Sequence, residues 1–347
     1  RVVFVEHGYA TIECERQIVT AAGGEFLDAN ALPLEEALRR CEDADAILVR
    51  WLKITPQLIK RFRRCKIIIR YGVGFDNVDV DAATAAGIIV GHVPNYCTDD
   101  VSTHAIALLL ACVRQVVPNH SRLAGGGWDE NPAKLIWRTA GRALGLVGFG
   151  NIAQAVARKM RGWDMKMLAT DPYVDPVRAE ALGVTLIDLD RLCREADYIS
   201  LHVPLLPETH HLIGAKELGL MKTGAILINT ARGKVLDTQA LLTALNEGRI
   251  AQAALDVFEE EPPPADSPLR THPRIVSSDH VAWYSEESQM ELKKTAAEEA
   301  VRVCQGGLPI SIANPEVLHR LGRFAEWTPN DNARWRLKRI EALKAKT

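Results

Sequence analysis

The sequence lacks a long hydrophobic run and carries little net charge. Its longest apolar stretch, residues 105–113, is far shorter than the roughly 20 residues that span a bilayer. The net charge is −2, so no overall field draws the chain to nucleic acid or to an anionic membrane. No signal peptide is visible at its start. These absences argue against membrane and nucleic-acid partners.

Closely spaced cysteines are also missing. The seven cysteines are scattered along the chain, and no C-x-x-C pair occurs. Disulfide frameworks usually have an even number of cysteines, and structural zinc sites usually contain cysteine pairs. The pattern therefore predicts free thiols, no metal site and a cytoplasmic location.

Short apolar runs alternate with helical patterns in the first third of the sequence. At about 150 residues per domain, 347 residues suggest two domains. Continuously apolar strands between helices are typical of a parallel sheet that is covered on both faces. The predicted strands are 2–5, 45–49, 66–70 and 88–90, with helices near 11–22, 56–63 and 79–86.

A second alternating series follows one long predicted helix, 99–123. Its strands are 143–147, 166–170, 184–187, 197–202, 225–229, 253–257 and 274–278. The fold class predicted is α/β, with two Rossmann-like, doubly wound parallel-sheet domains and the active site in the cleft between them. The last long helix, 286–305, is expected to return to the first domain, which makes that domain discontinuous.

The predicted boundaries follow from this reading. One domain comprises 1–98 and 285–320, a second, Rossmann-like domain comprises 99–284, and 321–347 form a C-terminal tail. Within the tail, Leu337, Ile340 and Leu343 share one face of a helix that has six basic residues and one acidic residue. This pattern favours a solvated or subunit-docking helix, with an anion- or nucleic-acid-binding tail as the alternative.

A glycine-rich loop follows the first strand of the second series. Gly148 suits a tight turn, Gly150 lets the backbone approach a pyrophosphate, and Ala153 lets the following helix pack on the strand. The helix N-terminus supplies free N–H groups for phosphates. Asp171, 21 residues after Gly150, can accept hydrogen bonds from a ribose diol and would repel a 2′-phosphate. The pattern predicts a dinucleotide site that prefers NAD to NADP.

Three charged side chains follow three later strands. Arg232, Glu261 and His280 each come after the C-terminal end of an apolar strand. Ligands of open α/β sheets bind at that edge. An imidazole titrates near neutral pH and suits proton transfer, whereas an arginine fork suits a carboxylate. We therefore predict that these three residues form one catalytic set.

The combined motifs resemble the NAD-dependent D-isomer-specific 2-hydroxyacid dehydrogenases. The resemblance covers roughly residues 40–315 and rests on five segments beside Asp171. They are 148-GFGNIA-153, 202-HVPLLPETHHLI-213, 226-ILINTARG-233, 255-LDVFEEEP-262 and the run that begins at His280. The stretch 281-VAWYSEES-288 is most similar to the branch of C-terminal-binding-protein co-repressors and their bacterial dehydrogenase relatives.

The resemblance implies an NAD(H)-dependent oxidoreductase that interconverts a D-2-hydroxy acid and its 2-keto acid. Its substrate-binding domain would be 1–98 and 285–320, and its NAD-binding domain would be 99–284. His280 would be the acid/base paired with Glu261, and Arg232 would bind the substrate carboxylate and carbonyl. The loop 70-RYGVGFDNVD-79 resembles the one that holds the substrate carboxylate, through the amides of Val73 and Gly74. The expected cofactor contacts are Gly148, Gly150, Asn151, Ile152, Asp171, His202, Val203, Pro204, Thr209, Thr230, Ala231, Asp256 and Ala282.

The sequence departs from the family pattern at a few positions and leaves alternatives open. Asp279 stands where a proline usually precedes the histidine, and Asn151 replaces a frequent basic residue. The alternatives are an NADH-sensing, dimeric interaction protein of the co-repressor type and a D-3-phosphoglycerate dehydrogenase. The resemblance also implies a homodimer formed through 99–123 and 134–144.

One further expectation concerns the substrate. Trp283 follows His280 by three residues, where an indole can form a wall of the substrate pocket or can instead pack structurally. An indole favours apolar or flat groups and offers nothing to a phosphate. The predicted substrate is therefore a small 2-keto or 2-hydroxy acid with an uncharged side chain.

Overall fold

The computed structural model describes residues 1–130, 136–329 and 331–344. The chain divides into two compact units. One contains Arg1–Tyr96 and Ser285–Thr347, and the other contains Cys97–Tyr284. Each unit is built around its own parallel sheet.

The sheet of the first unit has five parallel strands in the order β2-β1-β3-β4-β5. They are β1 (Val2–Phe4), β2 (Phe26–Asp28), β3 (Ala46–Val49), β4 (Ile67–Arg70) and β5 (Ile89–His92). Val3, Ile47 and Ile68 are aligned by the strand register and are fully buried in one core cluster. Burial on both faces explains why these strands are continuously apolar.

The sheet of the second unit has seven parallel strands in the order β12-β11-β10-β9-β6-β7-β8. They are β6 (Ala143–Val147), β7 (Lys166–Thr170), β8 (Val184–Leu186), β9 (Tyr198–Leu201), β10 (Ile226–Asn229), β11 (Gln252–Leu255) and β12 (Ile275–Ser277). Successive residues of a strand face opposite sides of a sheet. Leu146 and Val147 accordingly belong to separate core clusters. These sheets confirm the predicted fold class of two Rossmann-like α/β domains.

Helices connect the strands and cover the sheets. They are α1 (Glu13–Ala21), α2 (Leu34–Cys41), α3 (Pro56–Ile59), α4 (Val80–Ala85), α5 (Thr98–Val113), α6 (Val116–Ala124), α7 (Asn151–Lys159), α8 (Pro176–Glu180), α9 (Leu189–Glu195), α10 (Ala215–Leu220), α11 (Thr238–Asn246), α12 (Glu286–Cys304), α13 (Val317–Arg320) and α14 (Asp331–Lys344). The long helix α12 packs on α1, β3 and β4 of the first unit.

Two local predictions are wrong. The sequence analysis did not predict strand β2, which completes the first sheet, or helix α2, which covers that sheet. The helix predicted over 99–123 is two helices that meet at Gln115, whose φ of 53° is left-handed and incompatible with a continuous helix. The two axes are bent by 63°.

Among the helices in the described parts of the chain, no single one is long and apolar enough to cross a bilayer. The bent pair α5 and α6 satisfies the criterion together, by length and composition alone. In this pair, α5 buries Ala105, Leu108 and Leu109 in the core of the second unit.

Candidate active site

Three neighbouring strands deliver the predicted catalytic residues to one edge of the second sheet. The strands β10, β11 and β12 are consecutive in the sheet, and all three run in parallel. Arg232 follows the last residue of β10 by three positions, Glu261 follows β11 by six, and His280 follows β12 by three. Because the strands are parallel, all three side chains leave at the carboxyl edge.

His280 and Glu261 form a direct pair. His280 Nδ1 lies 2.7 Å from Glu261 Oε2, and each side chain is more than one third exposed. The contact orients the imidazole and leaves Nε2 for another partner. His280 has a φ of 59°, a left-handed conformation that costs a non-glycine residue free energy and that clusters at functional sites.

Glu261 is held on its other side by the backbone. The N–H of Phe258 donates to Glu261 Oε1 at 2.9 Å. Burial raises the pKa of this carboxyl, but the hydrogen bonds from His280 and Phe258 and the charge of Arg232 outweigh burial, so its pKa is lowered. The carboxylate is therefore the stable form beside His280.

The turn that carries Arg232 is fixed by two residues whose roles the sequence reading missed. The buried Asn229 accepts from Ala231 N at 3.0 Å and donates to Arg232 O at 2.9 Å. A Cβ at Gly233 would lie 1.8 Å from the Phe258 carbonyl carbon, so only glycine allows the β11 loop to approach. The loops of Arg232 and Glu261 are thus packed backbone to backbone. Asn229 and Gly233, which flank Arg232 in the sequence, were the signal from which these roles could have been predicted.

Asp256 supports the loop that carries His280. This aspartate is 1% exposed, and its backbone carbonyl accepts from His280 N at 2.8 Å. Its carboxylate accepts from Val281 N and from Ala282 N, each at 3.0 Å. Trp283 closes the same loop, because its indole N–H donates to the His280 carbonyl at 3.0 Å. Asp256, Ala282 and Trp283, all predicted site residues, therefore lie together with His280.

The glycine-rich loop has the geometry that its sequence requires. Gly148 has a φ of 86°, and a Cβ there would lie 2.9 Å from the His202 carbonyl. Gly150 caps the N-terminus of α7, and a Cβ there would have no neighbour within 4 Å. Asn151 and Ile152 form the first turn of α7. The N-terminus of α7 is exposed beside Gly150 and leaves space for a phosphate group.

Asp171 follows β7 and bridges two loops. Its Oδ2 accepts from Phe149 N at 2.8 Å, and its Oδ1 accepts from Tyr173 N and Val174 N. The side chain is half-buried. A carboxylate has about four acceptor positions, so one remains for a ribose hydroxyl.

The remaining predicted cofactor residues follow β9 and β10. His202, Val203 and Pro204 come directly after β9, and Thr230 and Ala231 come after β10. Thr209 donates from its hydroxyl to Pro204 O at 2.6 Å and shapes its own turn.

Two polar atoms in this group fit a ligand. His202 Nε2 and Thr230 Oγ1 are buried and have no hydrogen-bond partner among the residues that the structure describes. Burial lowers the pKa of His202 to about 4, so its imidazole is neutral. Buried polar groups normally have partners. The two atoms, with the open helix start at Gly150, fit a nucleotide that brings its own polar groups.

Val73 and Gly74 belong to the first unit, unlike the residues above. They follow β4 in a loop that contains Gly72, whose φ is 141°. The Val73 carbonyl accepts from His92 Nδ1 at 2.8 Å. This bond fixes the loop within its own unit.

Within the described ranges, no group of three His, Cys, Asp or Glu side chains could hold a metal ion. A cavity of about 460 Å³ adjoins the pair of His280 and Glu261, with Asp279 and Arg270 among its lining residues.

The chain is similar in sequence to proteins of one enzyme family. Residues 106–282 match the family model described as the NAD binding domain of D-isomer specific 2-hydroxyacid dehydrogenase. A D-3-phosphoglycerate dehydrogenase of Methanocaldococcus jannaschii is 41% identical over 84% of this chain, which spans 56% of that protein. A glyoxylate reductase of Thermococcus litoralis is 38% identical, with 84% of this chain and 90% of that protein covered.

A solved structure gives the same result. The D-lactate dehydrogenase of Aquifex aeolicus, complexed with NAD and lactic acid, is 28% identical and superposes with a TM-score of 0.79, covering 88% of this chain and 96% of that one. The fold and the site thus define an NAD-dependent oxidoreductase. The chain belongs to the D-isomer specific 2-hydroxyacid dehydrogenase family, as its motifs indicated. The co-repressor-like branch remains a prediction.

Proposed function

We propose that the chain reduces a small 2-keto acid with an uncharged side chain to the D-2-hydroxy acid, with NADH as hydride donor. The pair of His280 and Glu261 at the carboxyl edge of the second sheet carries the proposal. NADH supplies the hydride. His280 would give a proton to the keto oxygen, Glu261 would stabilise the charged imidazole, and Arg232 would bind the carboxylate and polarise the carbonyl.

The roles of the two units follow from the same proposal. Residues of the second unit, from Gly148 to Ala282, would bind NAD, and the first unit would act as the substrate-binding domain. Amides of Val73 and Gly74 would complete carboxylate binding. A cytoplasmic location is proposed because all seven cysteines are free thiols.

A substrate panel tests the proposal directly. With NADH, glyoxylate and other unphosphorylated keto acids should be reduced more efficiently than phosphohydroxypyruvate. Trp283→Ala should lower kcat/KM about tenfold for bulky keto acids, the equivalent of about 1.4 kcal/mol, and should spare glyoxylate. Steady-state kinetics would measure both effects.

Trp283→Phe is the matched control, since it keeps an aromatic ring and removes the hydrogen bond to His280. If it lowers activity on every substrate equally, the indole serves the loop and does not select substrates. Preference for phosphohydroxypyruvate would overturn the substrate assignment, and no turnover of any keto acid would favour a nicotinamide-sensing role.

A D-3-phosphoglycerate dehydrogenase is the second candidate, and two arginines favour it. Arg70 ends β4, and its Nη1 would lie 1.7 Å from a Cβ at Gly72, so the guanidinium lies against the predicted carboxylate loop. The Arg50 guanidinium lies 3.8 Å from the centre of the Trp51 ring and 4.4 Å from that of Tyr9. Stacking on the aromatic rings leaves the charge of Arg50 in place. Arg50 and Arg70 are thus two cationic groups that could attract a phosphate.

Cofactor preference depends on Asp171 in this proposal. Asp171→Ala should weaken NADH binding, because one hydrogen bond to the ribose is lost. It should also reduce the ratio of the affinities for NADH and NADPH by about tenfold, because the charge that repels the 2′-phosphate is removed. Asp171→Asn is the matched variant: its oxygen can still accept from Phe149, so it preserves the link to the glycine loop. Affinities for both cofactors from fluorescence titration decide the point. An unchanged ratio in both variants would contradict the assignment.

A homodimer is also proposed, formed through residues 99–123 and 134–144. Val116, Val117 and Leu123 of α6 are exposed, as is Trp137. Residues 134 and 135 of the predicted interface lie outside the described residues. Contiguous exposed apolar groups are characteristic of interaction surfaces.

Light scattering at micromolar concentration should give twice the 38.3 kDa chain mass. Leu123→Asp should shift the protein to monomers, because it places a charge in an apolar contact. Leu34→Asp, at an exposed leucine of α2, is the control and should leave the dimer intact. A monomeric native protein would refute the proposal.

A further inference from the structure

We propose that His104 is a positioning residue for the acid–base loop and acts on it through Ser278 and Asp256. This inference rests on the proposed function, in which His280 transfers the proton. His104 lies on α5, far from the loop in sequence, and contacts neither Glu261 nor His280 in any hydrogen bond that the structure gives it.

The acid–base loop is attached to the rest of the protein through Asp256. Asp256 accepts from the backbone N–H groups at 280, 281 and 282 through its carbonyl and its carboxylate. Ser278 Oγ adds a fourth bond, to Asp256 Oδ1, at 2.6 Å. One buried aspartate therefore fixes both ends of the segment in which His280 holds its left-handed conformation.

The hydrogen bonds that join His104, Ser278 and Asp256 have a defined direction. A carboxylate only accepts, so the single hydroxyl proton of Ser278 goes to Asp256. His104 Nε2 lies 2.9 Å from Ser278 Oγ and must therefore donate to it. It also lies 3.5 Å from Asp256 Oδ1. His104 thus carries a proton on Nε2 and donates it to Ser278 Oγ, whose own proton goes to the buried carboxylate, so the two hydrogen bonds form one chain.

Helix α5 gives His104 a rigid support. His104 lies three residues after Val101 and four before Leu108, so it shares their helix face, and both neighbours are buried. The helix packs across β10, β11 and β12, the strands that deliver Arg232, Glu261 and His280. A donor on this helix therefore ties the loop to the body of the second unit.

The experiment compares His104→Leu, which removes the donor, with His104→Gln, whose amide N–H can replace it. The chain of bonds predicts that His104→Leu lowers kcat by about 10- to 100-fold, since small displacements of a catalytic group are costly. KM should change little. His104→Gln should recover most of the activity, and His319→Leu, at an exposed histidine, should match the wild type.

A double-mutant cycle with Ser278→Ala tests the connection. If His104 acts through Ser278, the double variant His104→Leu/Ser278→Ala should be no slower than the slower single variant. Multiplied effects would overturn the proposal, as would wild-type kcat in His104→Leu or failure of His104→Gln to recover activity.

Hydrogen exchange separates this inference from the proposed function. Amides of residues 278–284 should exchange at least about tenfold faster in His104→Leu and Ser278→Ala, but not in His104→Gln or His319→Leu. If the wild type reduces no keto acid but this exchange pattern holds, the function fails and the positioning role stands. If turnover is present and exchange and kcat are unchanged in His104→Leu, the positioning role fails and the function stands.

Discussion

Arg232→Ala is expected to lower kcat/KM for keto-acid reduction by about 10²- to 10³-fold, the loss seen when a donor to developing negative charge is removed. The proposed partners of its guanidinium are the substrate carboxylate and carbonyl, whose oxygen gains charge as hydride arrives. NADH binding should stay within about twofold of the wild type, because the proposed partner of Arg232 is the substrate and not the cofactor. Steady-state kinetics and fluorescence titration of NADH measure the two effects.

Two further variants make this result specific. Arg232→Lys keeps the charge and loses the planar fork, so it should recover only part of the activity. Arg249→Ala removes an exposed arginine that pairs with Glu247 in the same unit, and it should be silent. If Arg232→Ala retains wild-type efficiency, or if it loses NADH and substrate binding together, the assignment of Arg232 to the substrate is wrong.

The common position of the three proposed catalytic residues was predictable because it follows from strand topology. Arg232, Glu261 and His280 each follow an apolar strand, and parallel strands place such residues at one edge of the sheet. The order of neighbours β10, β11 and β12 then brings them together. Nothing beyond local periodicity and the rule for parallel sheets was needed for this part of the site.

The supporting residues were not predictable in the same way. The bond between His104 and Ser278 joins segments 174 residues apart, and no local pattern encodes it. The role of Gly233 depends on how closely the Phe258 backbone approaches. Such contacts are set by tertiary packing, which residue spacing alone does not specify.

Local elements were missed for a related reason. The strand β2 has only three residues, Phe26–Asp28, and only one of them is buried, so the apolar run that marks a strand is absent. The break between α5 and α6 occurs at Gln115, three residues before Pro118, and this proline was an available signal, because in a continuous helix its ring would clash with the carbonyl of Arg114. There the Gln115 side chain donates to Cys112 O and to Gln252 Oε1, bonds that help hold its left-handed backbone.

His280→Ala is expected to lower kcat by about 10²- to 10⁴-fold, the usual contribution of general acid–base catalysis. The proposed proton donor is lost, while the Asp256 carboxylate can still hold the loop through Val281 and Ala282. His319→Ala, at an exposed histidine of the first unit, is the control. Wild-type turnover in His280→Ala would contradict the acid–base assignment.

Glu261→Gln extends this prediction to pH. The pKa of Glu261 is lowered against the effect of burial by its hydrogen bonds and by Arg232. A carboxyl whose pKa is depressed on folding contributes stability above its unfolded pKa, and this contribution is lost as pH falls through the folded pKa, so the pair is intact at neutral pH. A neutral amide stabilises the charged imidazole less. Reduction, which needs that charged form, should therefore decline at a lower pH in Glu261→Gln than in the wild type, whereas oxidation should persist to lower pH. Rate profiles in both directions measure the shift, and superimposable profiles would show that Glu261 does not govern the proton on His280.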